Sequence, residues 1–252
     1  MPEHIVLSPY SFVGFEICNK LMEEGIEVIG VDLPVSVDPD PLEKEEKELY
    51  LGRNSNFTIK GFEEIISGIK NEEHTFYISD VNLNDNAWRR YIDEMPIRNN
   101  DRVVYVVTDQ KCLINRHIQR QINTTIILPT VYGPWAPVNT LLWKCLNQTE
   151  FPFEQYEIEE KRDAIYISDA ITAIFNVVSL EHGIYEVQSD IKDHWQLLLK
   201  ELGYQIIVDD LNEESHRTCR PDIKNYVAET KISPQEGVEI VKKHLSLRNF
   251  MR

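Results

Sequence analysis

Glycine is scarce in this 252-residue chain, 10 residues or about 4% against a usual ~7%. Turns that rely on glycine's freedom at positive φ are therefore few. Cysteine is rarer still, with 4 residues. Cys18, Cys112, Cys145 and Cys219 lie far apart, with neither a Cys-x-x-Cys pair nor histidines at zinc spacing, which excludes a disulfide framework and a zinc site and leaves reduced thiols. No apolar run reaches the 18 residues of a membrane helix. Met1-Pro2-Glu3-His4 also lacks the basic start of a secretory signal. A cytoplasmic protein is expected, and the Asn-x-Thr matches at Asn56, Asn123 and Asn147 are then chance. Positive charge is the remaining deficit, with 26 Lys and Arg against 42 Asp and Glu and a net charge of −16. Binding to nucleic acid or to an anionic membrane is dominated by basic residues on phosphate, so neither is expected as a partner.

What is present is ordinary for a folded protein, 42% hydrophobic and 27% charged. The length suits one large domain or two small ones. His4 to Leu7 is a short apolar run, and Phe12, Val13, Ile17 and Leu21 follow at helical spacing until Gly25 stops the helix. Ile26 to Val31 is rich in β-formers and ends at Asp32. This strand, helix, strand unit of about 30 residues is how a dinucleotide-binding fold begins. Leu33 to Glu48, with its prolines and acidic run, reads as a long solvated loop. Helices are expected at Phe62–Ile69, Asn86–Tyr91 and Lys111–Gln121, and strands at Thr75–Ile78, Arg102–Val107 and Thr125–Leu128. That alternation predicts an α/β fold, a Rossmann-like doubly wound parallel sheet. A small C-terminal substrate lobe follows it. The division is placed at 1–134 and 135–252, with some later segments returning to the sheet. In the lobe, helices are expected at Leu141–Leu146, after the opening stretch Arg162–Asp169 as far as Val178 with Asp169 as a possible cap, at His194–Leu202 and at Pro234–His244. Strands are expected at Gly183–Val187 and Gln205–Val208.

Several segments, in order, resemble the extended short-chain dehydrogenases, specifically the nucleotide-sugar epimerase and dehydratase group. Phe12-Val13-Gly14 resembles the end of the first Rossmann turn, and Asp80-Val81 resembles the acidic position after the third strand. Thr130-Val131-Tyr132-Gly133-Pro134 resembles the Asn-Val-Tyr-Gly-Pro segment beside the substrate. Arg162-Asp163 through Ser168-Asp169 resembles Arg-Asp-x-x-Tyr-Val-x-Asp, Arg220-Pro221-Asp222 resembles an Arg-Pro-Gly-Asp turn, and Ser233-Pro234-Gln235-Glu236-Gly237 resembles the start of the last helix.

The resemblance implies an NAD site built from Ser8, Tyr10, Ser11, Phe12, Val13, Gly14, Asp32, Asp80 and Val81. In the family the turn reads Gly-x-x-Gly-x-x-Gly, because backbone or pyrophosphate approaches where a side chain would collide. Ser8 and Ser11 replace the first two glycines, and Pro9 removes a backbone N–H. The bulk of Tyr10 and the serines narrows the pocket and weakens NAD binding. Asp32 stands where a carboxylate accepts from the adenosine ribose, which favours NAD over NADP. Thr130, Arg162 and Arg220 are implied substrate-binding residues. Two guanidiniums suit the diphosphate of a nucleotide sugar through fixed charge and bidentate geometry.

Hydride chemistry in this group uses Tyr-x-x-x-Lys, one helical turn apart. None of the eleven tyrosines is followed by lysine at the fourth position. The chain runs from Arg102–Thr108 almost directly into the helix that carries this pair in the family, as though one helix and one strand were missing. Lys111 aligns with the family lysine and Thr108 with its Ser/Thr partner; they are weak candidates only, and no catalytic residue is assigned. The expectation is a degenerate homologue that binds a nucleotide or nucleotide sugar, as a monomer or an altered homodimer. Two alternatives stand beside it: an active NAD-dependent enzyme with a changed acid/base, and a non-catalytic interaction protein on a Rossmann scaffold.

Overall fold

The computed structural model describes residues 3–33, 40–68, 73–79, 86–107, 122–137, 145–146, 163–204 and 222–251. Two compact units are present. The first comprises Met1–Ile127 and Ile174–His182, and the second Leu128–Ala173 and Gly183–Arg252.

In the first unit, β1 (Glu3–Leu7) leads into α1 (Phe12–Glu23), then β2 (Val28–Val31), α2 (Pro41–Gly52), β3 (Phe57–Lys60), α3 (Phe62–Gly68), β4 (His74–Ser79), α4 (Asn86–Glu94), β5 (Arg102–Val107) and β6 (Thr124–Ile127). The strands lie in the order β3-β2-β1-β4-β5-β6. Every neighbouring pair among them is parallel, with His4 opposite Val28 on one side of β1 and Thr75 on the other. This is the Rossmann order, with its reversal between β1 and β4. β2 and β5 read as nearly unbroken apolar runs, and β4 is buried along its whole length, because a parallel sheet is covered on both faces. Ile5, Val6, Leu7, Phe76, Ile78, Val103 and Val104 are all fully buried.

α2 and β3 differ from the sequence expectation of a loop over Leu33–Glu48 and of no strand at Phe57–Lys60. The prolines misled. Pro41 sits at the first helical position, where its missing N–H costs nothing, and Asp40 caps the helix by accepting from Leu42 N at 2.9 Å. With β3 present, six strands complete the order. Asp80 and Val81 consequently follow the fourth strand of the sheet, not the third.

At the starting ends of the strands, His74 Nδ1 lies 3.2 Å from Asp101 Oδ1 and Nε2 lies 3.2 Å from Glu3 Oε2. The imidazole thereby ties the beginnings of β1 and β4 to the residue before β5.

The second unit holds β7 (Thr130–Tyr132), β8 (Ala164–Tyr166), β9 (Gly183–Ser189), α6 (His194–Glu201), β10 (Ile223–Ala228) and α7 (Pro234–Met251). It also holds the first part of α5 (Ile167–Val178), whose residues from Ile174 onward belong to the first unit. β7 pairs with β8 and β9 with β10, both parallel. β8 and β10 were not expected from the sequence. Ala164-Ile165-Tyr166 is too short for a period to show, and it runs directly into the helix. Asp169 is not the cap of α5. It lies in the first turn, where Oδ2 accepts from Lys231 N at 3.1 Å and Ile232 N at 3.2 Å, holding the segment that enters α7. The helix expected at Lys111–Gln121 and the strand at Gln205–Val208 lie outside the described residues, as does most of Leu141–Leu146.

Among the described residues no helix is long and apolar enough to cross a membrane. No group of three or more His, Cys, Asp or Glu among them is placed to hold a metal ion.

Candidate functional site

The first candidate lies where β1 turns into α1. Ser8 takes the left-handed conformation, φ 58°, which an L-residue adopts at a cost of about 1–2 kcal/mol. Its hydroxyl donates to Leu33 O at 3.0 Å and its N–H donates to Val31 O at 2.8 Å. The backbone of the turn therefore keeps a glycine-like shape with serine in the first position. Ser11 N-caps α1, its Oγ accepting from Gly14 N at 3.2 Å. At Gly14 an added Cβ would stand 2.5 Å from Ser8 O and 2.6 Å from Ser11 Oγ. Helix and strand approach too closely there for any other residue, as expected for the third turn position. Phe12 and Val13 are buried core.

Tyr10 is buried too, and burial pushes its phenol up to about 12, with the carboxylates of Glu48 and Asp32 adding to the rise. Two lysines of α2 converge on it. Lys44 Nζ lies 2.6 Å from Asp32 Oδ2 and 5.6 Å from the centre of the Tyr10 ring. Lys47, only 1% exposed, is 2.8 Å from Glu43 Oε1 and donates to Tyr10 O at 3.0 Å. Glu43, Lys44 and Lys47 all lie in the stretch whose composition predicts a solvated loop. The signal was there: Asp40-Pro41-Leu42-Glu43 is a capping pattern, and Glu43 and Lys47 stand one helical turn apart.

The backbone suits a dinucleotide. The turn is left-handed at Ser8, the carboxylate of Asp32 follows β2, and the buried Ser79 Oγ, which has no hydrogen-bond partner among the described residues, would lie 3.3 Å from a Cβ at Gly14. Against this, the Ser11 hydroxyl already takes the Gly14 N–H that a phosphate would receive at a helix N-terminus. Binding there would exchange one hydrogen bond for another, a net loss of about 1 kcal/mol relative to an open turn.

The second candidate is a polar cluster in the second unit. Thr130 N donates to Asp163 O at 3.2 Å, and Thr130 stands opposite Ala164 in the β7–β8 register. Two of the segments singled out in the sequence are thus side by side. Asp163 accepts from Ala164 N at 2.8 Å and Ser189 N at 2.7 Å. Burial pushes its carboxyl up to about 6 despite those two bonds. Ser189 Oγ lies 2.8 Å from His194 Nδ1, and His194 Nε2 lies 3.1 Å from Tyr132 OH. His194 is fully buried and desolvation pushes it down to about 4, so the ring is neutral and joins two hydroxyl groups. Tyr132 also packs edge-on to Tyr166 with ring centres 5.4 Å apart. Gly237 closes over both rings, where a Cβ would lie 2.7 Å from Tyr132 and 3.0 Å from Tyr166. The three motifs around Thr130, Asp163 and Ser233 therefore share one packing unit. In the sequence His194 stands out only as the first residue of the helix expected at His194–Leu202.

Trp135, next after the Tyr-Gly-Pro segment, has φ 67°, and its ring packs against His244 at 4.5 Å and beneath the Arg248 guanidinium at 5.0 Å. Asp80, Val81, Thr108, Lys111, Arg162 and Arg220 lie outside the described residues.

The fold is that of the extended short-chain dehydrogenases of the nucleotide-sugar epimerase and dehydratase type. Among solved structures similar to it is a variant UDP-glucuronic acid 4-epimerase from Bacillus cereus in complex with UDP-4-deoxy-4-fluoro-glucuronic acid and NAD. It is 12% identical, with a TM-score of 0.69 over 98% of this chain and 99% of that one. UDP-glucose 4-epimerase from Thermotoga maritima, with UDP-glucose, is 15% identical with a TM-score of 0.58 over 99% and 100%. dTDP-glucose 4,6-dehydratase from Bacillus anthracis, in complex with NAD, is 12% identical with a TM-score of 0.60 over 99% and 98%. No protein-family model matches the chain, and no curated relative matches it. At these identities the likeness is one of fold, and a fold of this kind hosts many activities.

Proposed function

We propose that this protein binds a nucleotide or nucleotide sugar on an epimerase/dehydratase scaffold without the Tyr-Lys hydride chemistry of that scaffold. The observation that carries the reading is the absence of lysine four positions after any of the eleven tyrosines. A tyrosine lowered by a neighbouring ammonium is the group that would exchange a proton with a sugar hydroxyl, and NAD, when bound, would supply the hydride acceptor. Ligand recognition has more support than chemistry. Ser8 keeps the shape of the nucleotide turn, Asp32 follows β2, and Arg162 and Arg220 supply the guanidiniums expected to hold a diphosphate. In a chain of net charge −16 such a pair would be a local basic island.

Calorimetric titration with NAD and with UDP-glucose, in one buffer, tests the reading. Binding of at least one is expected, with UDP-glucose affinity lost in the Arg162→Ala/Arg220→Ala double variant. Failure of both ligands to bind would overturn the recognition. Conversion of UDP-glucose to another sugar nucleotide by the wild-type protein would overturn the absence of hydride chemistry.

A further inference from the structure

Asp32 at the end of β2 is the residue from which the sequence argued for NAD over NADP. A lone carboxylate there accepts from the ribose 2′-hydroxyl and repels a 2′-phosphate. In the folded chain that carboxylate is not alone. Lys44, one turn into α2, brings its ammonium to 2.6 Å from Asp32 Oδ2, and both side chains remain open to solvent at 36% and 39% exposure. The pair is therefore accessible to a ligand from solution. Lys47, three residues on, does not share this task, because its ammonium is buried between Glu43 and the Tyr10 carbonyl. Glu48 and Asp32 both act on Tyr10, so the surroundings of Lys44 are otherwise acidic.

We propose that Lys44 is a specificity-determining residue of the first turn. By neutralising Asp32 it removes the discrimination against a 2′-phosphate, and the site accepts adenosine nucleotides with or without that group about equally. An ammonium carries three N–H donors, and a ligand oxygen can exchange with an acceptor it already holds. A phosphomonoester and a carboxylate then compete for the same cation. This rests on reading the turn as a nucleotide site.

The test uses adenosine 5′-monophosphate and adenosine 2′,5′-bisphosphate, which report on the ribose end without engaging the full pyrophosphate. Both are titrated into the wild-type protein, Lys44→Ala and Asp32→Asn at one low ionic strength, since an exposed pair is screened by salt. The wild-type affinities are expected within about threefold of each other. Lys44→Ala should favour the monophosphate by about tenfold, the effect of an uncompensated carboxylate facing a dianion across several ångströms of water. Asp32→Asn should favour the bisphosphate. An affinity ratio that is the same in all three proteins overturns the role of Lys44 while leaving the turn a nucleotide site. So does a wild-type protein that already rejects the bisphosphate tenfold. Failure of both nucleotides to bind all three proteins overturns the proposal and the turn as a nucleotide site, and leaves UDP-glucose recognition to the calorimetric titration described above.

Discussion

Replacing Lys47 with methionine keeps the length and volume of the side chain and removes its charge. Lys47 is 1% exposed and Glu43 5% exposed, with the ammonium 2.8 Å from the carboxylate and 3.0 Å from the Tyr10 carbonyl. Breaking a buried pair on one side costs about 3–5 kcal/mol, because the remaining charge stays desolvated. Glu43 occupies the first turn of α2, and the positive end of the helix eases its charge, which argues for the lower end, about 3 kcal/mol. Loss of a donor to the Tyr10 carbonyl adds about 1 kcal/mol. A total near 4 kcal/mol corresponds to a melting temperature lower by about 10 °C for a chain of this size. Urea unfolding of Lys47→Met, Glu43→Leu and the double variant measures it. The double variant should recover most of the loss, since replacing both members of a buried pair with apolar groups is close to neutral. A single variant within about 1 kcal/mol of wild type, or a double variant less stable than the single, would refute the reasoning.

Gly237→Ala places a methyl 2.7 Å from the Tyr132 ring and 3.0 Å from Tyr166, and a loss of about 1–3 kcal/mol is expected in thermal unfolding. His194 is held at about 4 against an ordinary 6.5. Its contribution to stability is present above about pH 6.5 and is lost as the pH falls through 4, because the unfolded chain takes up the proton first. His194→Gln should flatten that slope in unfolding measured across this range. Asp163 behaves in the opposite sense: with its carboxyl raised from 3.8 to about 6, the folded state holds the proton longer. Its contribution declines as the pH rises from about 4 to 6 and is level above. Asp163→Asn should remove that decline.

The opening of the fold was legible because its signals are local and redundant. The β1–α1–β2 unit declares itself by an apolar run, a helical period, Gly25 and a second apolar run, and Asp32 follows at the expected distance. α2 was not legible in the same way. Its prolines and acidic residues match both a solvated loop and a helix N-terminus, and deciding between them requires noticing that Asp40 and Pro41 stand in capping order. β3 and β8 are short, and no residue of Phe57–Lys60 and only Ala228 of Ile223–Ala228 is buried, so burial leaves no pattern in their composition. The relations that matter at the turn are longer in range. That Ser8 would keep a glycine's backbone depends on Leu33 accepting its hydroxyl proton, and that Asp32 would be neutralised depends on the pitch of a helix begun nine residues later. The His194 cluster joins residues from β7, β9 and α6, which no sequence spacing announces. The motifs around Thr130, Asp163 and Ser233 were found as a resemblance, and their proximity supplies a packing reason for them to occur together.

The sheet of the first unit ends on β3, four residues long, with only Ile59 as an exposed apolar side chain and Lys60 as its last residue. A strand with one side unpaired is a template on which another chain can add, and addition in register would extend the sheet from molecule to molecule. Brevity limits the number of hydrogen bonds such an intruder could gain, and a lysine at the tip must be desolvated to gain them. Phe57, the residue with most to offer a neighbour, turns instead across Gly30, where a Cβ would meet its ring at 2.7 Å. The missing side chain on β2 thus spares the protein an adhesive edge, and the surplus of negative charge on every copy works toward the same end, keeping molecules apart in a crowded solution.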